Sequence, residues 1–173
     1  LDQVSGSVAV SGAGDDISIA DVQGPVTLDG EFVGSLSFRN LAGGLRFTSE
    51  RTNLAIAALP GSMDYDMGQL AITNARDVNL RTHDEEIEIR AFSGPIEIHN
   101  RNSSVTLEAA APLAAPITVT NRNADITILL PADSRFHLDA DARNGEVRNP
   151  FPAANAPLLS LQTSNGTIAL RHP

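Results

Sequence analysis

The stretch Ile87-Glu88-Ile89-Arg90-Ala91-Phe92-Ser93-Gly94-Pro95-Ile96-Glu97-Ile98-His99-Asn100-Arg101-Asn102 decides the fold. Two apolar pairs, Ile87/Ile89 and Ile96/Ile98, each enclose one polar residue, and strict in/out alternation is the mark of a half-buried strand. Between the pairs lies Phe92-Ser93-Gly94, an apolar residue followed by a turn former. After the second pair comes the wet run Arg101-Asn102. Two strands joined through one apolar and one polar corner describe a single coil.

The same unit recurs outward in both directions. Val8/Val10, Ile17/Ile19, Val26/Leu28, Leu36/Phe38, Leu45/Phe47, Leu54/Ile56, Met63/Tyr65, Leu70/Ile72 and Val78/Leu80 precede it. Val105/Leu107, Ile117/Val119, Ile126/Ile128, Phe136/Leu138, Leu159/Leu161 and Ile168/Leu170 follow. First members usually stand nine residues apart, and a fixed period means one structural unit repeated. The position five residues after the first member sorts the strands into two types. One type is followed by Val22, Leu41, Leu59, Ala75, Phe92 and Ala110, the other by Glu31, Glu50, Gly68, His83, Arg101, Arg122 and Asp141. By this rule Leu54/Ile56 belongs to the first type and Met63/Tyr65 to the second. The expected fold is all-β: a single-domain, right-handed parallel β-solenoid (β-helix) of about 8–9 coils of 16–21 residues, two strands per coil. Right-handedness follows from the crossover rule, and the strand spacing gives a rod roughly 40 Å long.

The corners carry matching chemistry. Gly24, Gly43, Gly61 and Gly94 follow the apolar corner residues and are expected to supply positive φ. Asn102, Asn123, Asn144 and Asn165 recur every 21 residues at the polar corner, where stacked Asn side chains can hydrogen-bond as a ladder. The Pro-rich run Asn149–Pro157 breaks the pattern and is expected to be a loop before the last coil. The chain opens at Leu1 within a strand-like pattern, as a fragment of a longer protein would, and residues 1–173 are read as one solenoid domain.

Composition narrows the partners. A net charge of −9 argues against nucleic acid, whose affinity comes mostly from Lys and Arg meeting phosphates, and against anionic lipid. The absence of Cys excludes disulfides, thiolate metal sites and cysteine nucleophiles. No apolar run approaches the roughly 20 residues of a membrane helix, so no membrane insertion of this segment is expected.

Three groups of side chains are candidates for a site. Asp64, Asp66 and Glu97, with Arg81 and His99, fall on the outward columns of one face. Two carboxylates flanking a glycosidic bond can cleave it, but the plainer reading is a solvated face with opposite charges paired across strands at about 0.2–1 kcal/mol each. His83-Asp84-Glu85-Glu86 offers carboxylates to Ca²⁺, yet lacks alternate spacing and a turn glycine, and reads as a solvated corner. His83, His99, His137 and His172 lack ligand spacing. No catalytic residue, metal or cofactor is assigned. Arg101, Arg122 and Arg143, each followed by Asn (Asn102, Asn123, Asn144), share the 21-residue period and should line one edge. That edge suits an anionic polysaccharide or a partner's carboxylates, because guanidinium binds them bidentately.

At the C-terminal coils the sequence resembles a bacterial adhesin-like domain family of unknown function, built from repeated G-D-[IV]-x-[IV] coils. The resemblance rests on Asn121-Arg122-Asn123-Ala124-Asp125-Ile126-Thr127-Ile128, on Leu130-Pro131 through Phe136-His137-Leu138, and on Asn144-Gly145-Glu146-Val147. Gly14-Asp15-Asp16-Ile17-Ser18-Ile19 fits as well, so the likeness spans about Gly6 to Phe151. It implies a β-solenoid in the cell envelope or outside the bacterial cell, with no catalytic residues to carry over. The expected function is a non-enzymatic structural or adhesive module that binds an envelope polysaccharide or protein through its faces or its Arg/Asn edge, as a monomer or weak homo-oligomer. The alternatives are a scaffold that stacks end to end like a bactofilin, and a carbohydrate-active β-helix enzyme.

Overall fold

The computed structural model describes residues 2–66 and 68–173. In chain order the strands are β1 (Asp2–Val4), β2 (Val8–Gly14), β3 (Ile17–Val22), β4 (Val26–Phe32), β5 (Leu36–Leu41) and β6 (Leu45–Thr48). They continue with β7 (Thr52–Asp66), β8 (Gln69–Thr73), β9 (Arg76–Thr82), β10 (Glu86–Arg90), β11 (Ser93–His99) and β12 (Val105–Glu108). The last six are β13 (Ile117–Asn121), β14 (Ile126–Leu129), β15 (Phe136–Ala142), β16 (Val147–Arg148), β17 (Ala153–Thr163) and β18 (Ile168–Arg171). Among the described residues there is no helix.

The strands stack into a parallel β-solenoid of about nine turns with two walls. The first wall runs β1-β3-β5-β7-β8-β10-β12-β14-β18-β16. The second runs β2-β4-β6-β7-β9-β11-β13-β17-β15. Register keeps the apolar pairs aligned: Val26, Leu45, Ile56, Val78, Ile96, Ile117 and Leu159 form one continuous row of the second wall. A period of two sends that whole row inward, and a slip of one residue would expose it. The rows meet in one cluster that includes Leu28, Phe38, Leu54, Leu80, Ile98, Val119 and Leu161, each such side chain contributing about 1.5–3 kcal/mol by leaving water.

The coil order departs from the sequence order in two places. The first is β7, which runs backwards. After β6 the chain reverses at residues 49–51, pairs antiparallel with β6 and β9 over Thr52–Ala58, turns the apolar corner at Leu59-Pro60-Gly61, and pairs antiparallel with β5 and β8. A second reversal at Gly68, φ +93°, restores the original direction. Leu54/Ile56 therefore lies in the second wall and Met63/Tyr65 in the first, the opposite of what their corner residues imply. The reversal is held locally by Thr52 N–H donating to Ser49 Oγ (3.0 Å) and Ser49 N–H donating to the Thr52 carbonyl (2.8 Å). The second departure is at the C-terminus. The coil β17–β18 slots between β13–β14 and β15–β16, so the last coil in sequence is not the last in space. The Pro-rich run is only partly a loop, because β17 begins at Ala153. Its Phe151 joins the core, packed between Phe136 (centroids 5.6 Å) and His172 (4.6 Å).

The corner glycines work by size rather than by φ. Of Gly24, Gly43, Gly61 and Gly94, only Gly94 has positive φ (+75°). A Cβ on Gly43 would lie 2.3 Å from the Gly24 carbonyl carbon, and one on Gly61 would lie 2.0 Å from the Thr73 oxygen. Stacked corners approach too closely for a side chain there. Left-handed φ falls instead on the residue before the corner: Asp21, Asn40, Asn74 and Ala91 at 52–55°. At the corner after β12 the buried residue is Ala109, with Ala110 exposed.

Candidate functional site

The polar edge is built in two layers. Inside, Thr52, Thr82, Asn100, Asn121 and Thr163 are buried polar side chains at the ends of second-wall strands. The last three satisfy corner carbonyls that the wall cannot: Asn100 Nδ2 donates to the Glu85 and Ser103 carbonyls (2.9 Å each), Asn121 Nδ2 to Ser103 (2.9 Å), and Thr163 Oγ1 to Ala124 (3.0 Å), while the Thr52 and Thr82 hydroxyls bond each other (2.8 Å). Outside runs the asparagine ladder. Asn102 donates to Asp84 (2.6 Å), Asn123 to Asn102 (2.6 Å), Asn165 to Asn123 (2.9 Å) and Asn144 to Asn165 (2.8 Å). Aspartates bond neighbouring coils too: Asp16 Oδ1 accepts from Ser35 N–H and Asp125 Oδ1 from Thr167 N–H (2.8 and 2.7 Å). This gives the Asp before Ile17 and before Ile126 a structural reason, since a carboxylate that accepts a corner amide satisfies a donor the strands leave unpaired.

The ladder order corrects the expected arginine stripe. Arg101 and Arg122 sit on adjacent corners, but the corner of Ser164-Asn165 intervenes before Arg143-Asn144, because β17 lies between β13 and β15. Arg143 therefore stands apart from the other two. In its place the structure brings up Arg51 and Arg81. A groove of about 560 Å³ runs along this edge, lined by Arg51, Arg81, Arg101 and Arg122 with His83, His99 and a single carboxylate, Glu50. Among the described residues none of the four guanidinium groups forms an ion pair within 4.0 Å. Asn100 also lines the groove, and its Oδ1 accepts no hydrogen bond.

The candidate carboxylates for glycoside chemistry do not converge. Asp64 lies in the first wall opposite Ser37 and Ala71, whereas Glu97 lies in the second wall opposite Asn79 and Thr118. Asp66 pairs with Gln69 and not near Arg81, whose neighbours are Asn53 and His99. Glu97 does meet His99 (2.9 Å) and Asn79 (3.0 Å), and the His99 hydrogen bond is the largest influence holding its carboxyl below the usual range. Equal spacing of the apolar pairs would set His137 beside Ser160, but the register is two residues off: His137 stands opposite Leu158 and Asp139 opposite Ser160. No cluster of three His, Asp or Glu able to hold a metal occurs among the described residues.

The run His83–Glu86 is not uniformly solvated. Glu85 points inward and is 1% exposed. Its level on the polar edge is the one beside the reversed coil. There the chain fails to cross from the second wall to the first, because β6, β7 and β8 connect by reversals on the same wall. The gap is a cleft of about 460 Å³ between the corner around Phe32 and the corner at Glu85, with Phe47 and Tyr65 on its walls. Tyr65 Oη donates to Glu85 Oε1 (3.0 Å). Burial first, then the charge and hydrogen bond of Glu85, push the phenol up from 10.0 to about 12. The folded state holds this proton more tightly than the unfolded state. The resulting stabilisation is full below pH 10.0 and lost as pH rises through about 12. Tyr65 is the only tyrosine and the chain has no Trp, so ultraviolet absorbance reads its ionisation directly. The expected midpoint is near pH 12, falling in Glu85→Gln; a midpoint at the ordinary value would mean the pair is not formed.

Arg81 keeps the expected place beside His99, whereas Arg51 escapes a reading of the sequence because the chain reversal at residues 49–51, not the period, brings it to the groove. Tyr65 escapes it because it fits an ordinary slot in the repeat, the second of an apolar pair, and Glu85, read as part of a solvated corner, is instead buried against Tyr65. No protein family, no curated protein and no solved structure matches the chain.

Proposed function

We propose that the chain is a non-enzymatic β-solenoid module of the bacterial cell envelope that binds carboxylated polysaccharide along its polar edge. The observation that carries the reading is the groove lined by Arg51, Arg81, Arg101 and Arg122 without an ion pair among them. On a chain of net charge −9, partners for surface arginines are plentiful, and a purely structural edge would be expected to use them. Four unpaired guanidinium groups on one strip repel one another, and a polyanion relieves that repulsion while accepting bidentate hydrogen bonds. The strip is long and open, which suits a polymer better than a compact metabolite. The envelope setting comes from the resemblance of the coil motifs to adhesin-like domains.

Titration calorimetry with alginate, a polyuronate, against uncharged dextran tests this. Alginate is expected to bind with an affinity that falls steeply with salt, and dextran is not. Arg101→Ala with Arg122→Ala should weaken alginate binding at least tenfold while leaving the circular dichroism unchanged, because neither guanidinium has an ion pair to lose. Equal binding of the two polymers, or an unaffected double variant, would overturn the reading.

A further inference from the structure

The cleft opened by the reversed coil has a chemistry opposite to that of the groove. Its walls carry a chain of rings, Phe32 to Phe47 (centroids 6.5 Å) and Phe47 to Tyr65 (5.9 Å, edge-on). Glu31 and Glu50 lie at the mouth and Glu85 lies within, against the single cation Arg51. Glu31 Oε1 is engaged by the Glu50 amide (2.6 Å), but Arg51 forms no ion pair with any of the three carboxylates within 4.0 Å.

The column to which Glu85 belongs shows that its side chain is the odd one. Where corner stacks on corner, the corresponding positions are Ser103, Ala124, Gly166 and Gly145, placed by the carbonyls that Asn100, Asn121 and Thr163 share and by the Gly145–Gly166–Ala124 approach. A Cβ on Gly166 would lie 2.4 Å from the Ala124 oxygen, so the column is sterically closed to long side chains. Glu85 stands at its open end, where no corner covers it. One of its oxygens takes the Tyr65 hydroxyl; the other, Oε2, is buried and has no donor. A buried carboxylate oxygen without a donor is costly.

We propose that this cleft is a binding site for an organic ammonium group, a protonated amine carried on a compact aliphatic or pyranose body. An ammonium has donors only, which is what Glu85 Oε2 lacks, and its charge offsets the excess of carboxylates. The faces of aromatic rings attract cations, most strongly where water is excluded, and the ligand body covers the apolar rim left by Phe32. An anion is repelled by the three glutamates. A neutral hydroxyl compound supplies a donor but leaves the excess negative charge uncompensated. The cleft shares Glu50 and Arg51 with the arginine groove, but the assignment rests on Glu85 and the rings of Phe32, Phe47 and Tyr65, none of which lines the groove.

Fluorescence of the sole tyrosine, Tyr65, is the natural reporter, with calorimetry for affinity. The probes are glucosamine, cadaverine, and N-acetylglucosamine, which keeps the ring and removes the charge. Saturable binding of glucosamine or cadaverine without N-acetylglucosamine is expected, and the better of the two amines tells a sugar body from an aliphatic one. Glu85→Gln is expected to lose at least tenfold in affinity, and Phe32→Ala, a half-buried position, supplies a second variant should the first not fold. Failure of both amines to bind, equal binding of N-acetylglucosamine, or full affinity in a natively folded Glu85→Gln or Phe32→Ala would overturn the proposal.

Discussion

Ile87→Asp is expected to abolish folding, whereas Glu88→Ala, one residue along the same strand, should leave the stability almost unchanged. Ile87 is fully buried and sits between Leu70 and Val105 in the first wall. The substitution removes an apolar side chain from the core, a loss of about 2–5 kcal/mol for comparable truncations. It also adds a carboxylate with no partner, whose burial costs further or forces protonation. A native state stable by about 5–15 kcal/mol cannot absorb much of that. Glu88 faces outward and is paired with Arg90 across one residue, both side chains about half exposed. Exposed pairs of this kind contribute about 0–1 kcal/mol. Urea unfolding followed by far-ultraviolet circular dichroism separates the two outcomes. Similar losses from both would mean that the strand does not alternate as described and that the row through Leu70, Ile87 and Val105 is misplaced.

Most of that row is legible in the amino-acid sequence, because alternation with a fixed period leaves few alternatives to coils that stack in register. The rows Ile87–Val105–Ile126 and Ile96–Ile117 follow directly from spacing. Direction is another matter. Leu54-Ala55-Ile56 and Met63-Asp64-Tyr65 alternate identically forwards and backwards, and Leu59-Pro60-Gly61 makes an apolar corner in either sense. One trace of the reversal survives in spacing: Met63 and Leu70, the first members of successive pairs, are seven residues apart instead of nine. The reversal at Gly68 is shorter than a crossing, whereas the one at residues 49–51 keeps Leu45 and Leu54 nine residues apart and so leaves no trace. The insertion of β17 between β13 and β15 leaves no such trace, and it sets Arg143 one coil further along the edge from Arg122 than a 21-residue period implies. The arginine edge is thus half legible. The cleft is not legible at all, since it arises from a crossing the chain does not make.

A double-cysteine variant, Ala55→Cys with Asn79→Cys, is expected to close a disulfide on mild oxidation, and Ala55→Cys with Ser37→Cys is not. The chain has no cysteine of its own, so intact mass and mobility on a non-reducing gel report the single bridge. In the structure Ala55 lies directly opposite Asn79 on the outer face of the second wall, and opposed antiparallel residues hold their Cβ atoms about 4.5–5.5 Å apart. A small adjustment brings them to the roughly 3.8 Å that a disulfide prefers. Ser37 is on the other wall, opposite Asp64, beyond the reach of residue 55 through the core. If every coil ran in sequence order, Leu54/Ile56 would instead lie beside Leu36/Phe38, and Ala55 would meet Ser37. The two pairs therefore vote for opposite windings. A bridge between 55 and 79 should also raise the unfolding midpoint, because closing a loop of this length constrains the unfolded chain by about 3 kcal/mol. A bridge between 37 and 55 would restore an all-parallel solenoid, and with it an ordinary corner crossing at the level of β7. Glu85 would then be covered like Ser103 and Ala124, and no opening would remain for a ligand to enter.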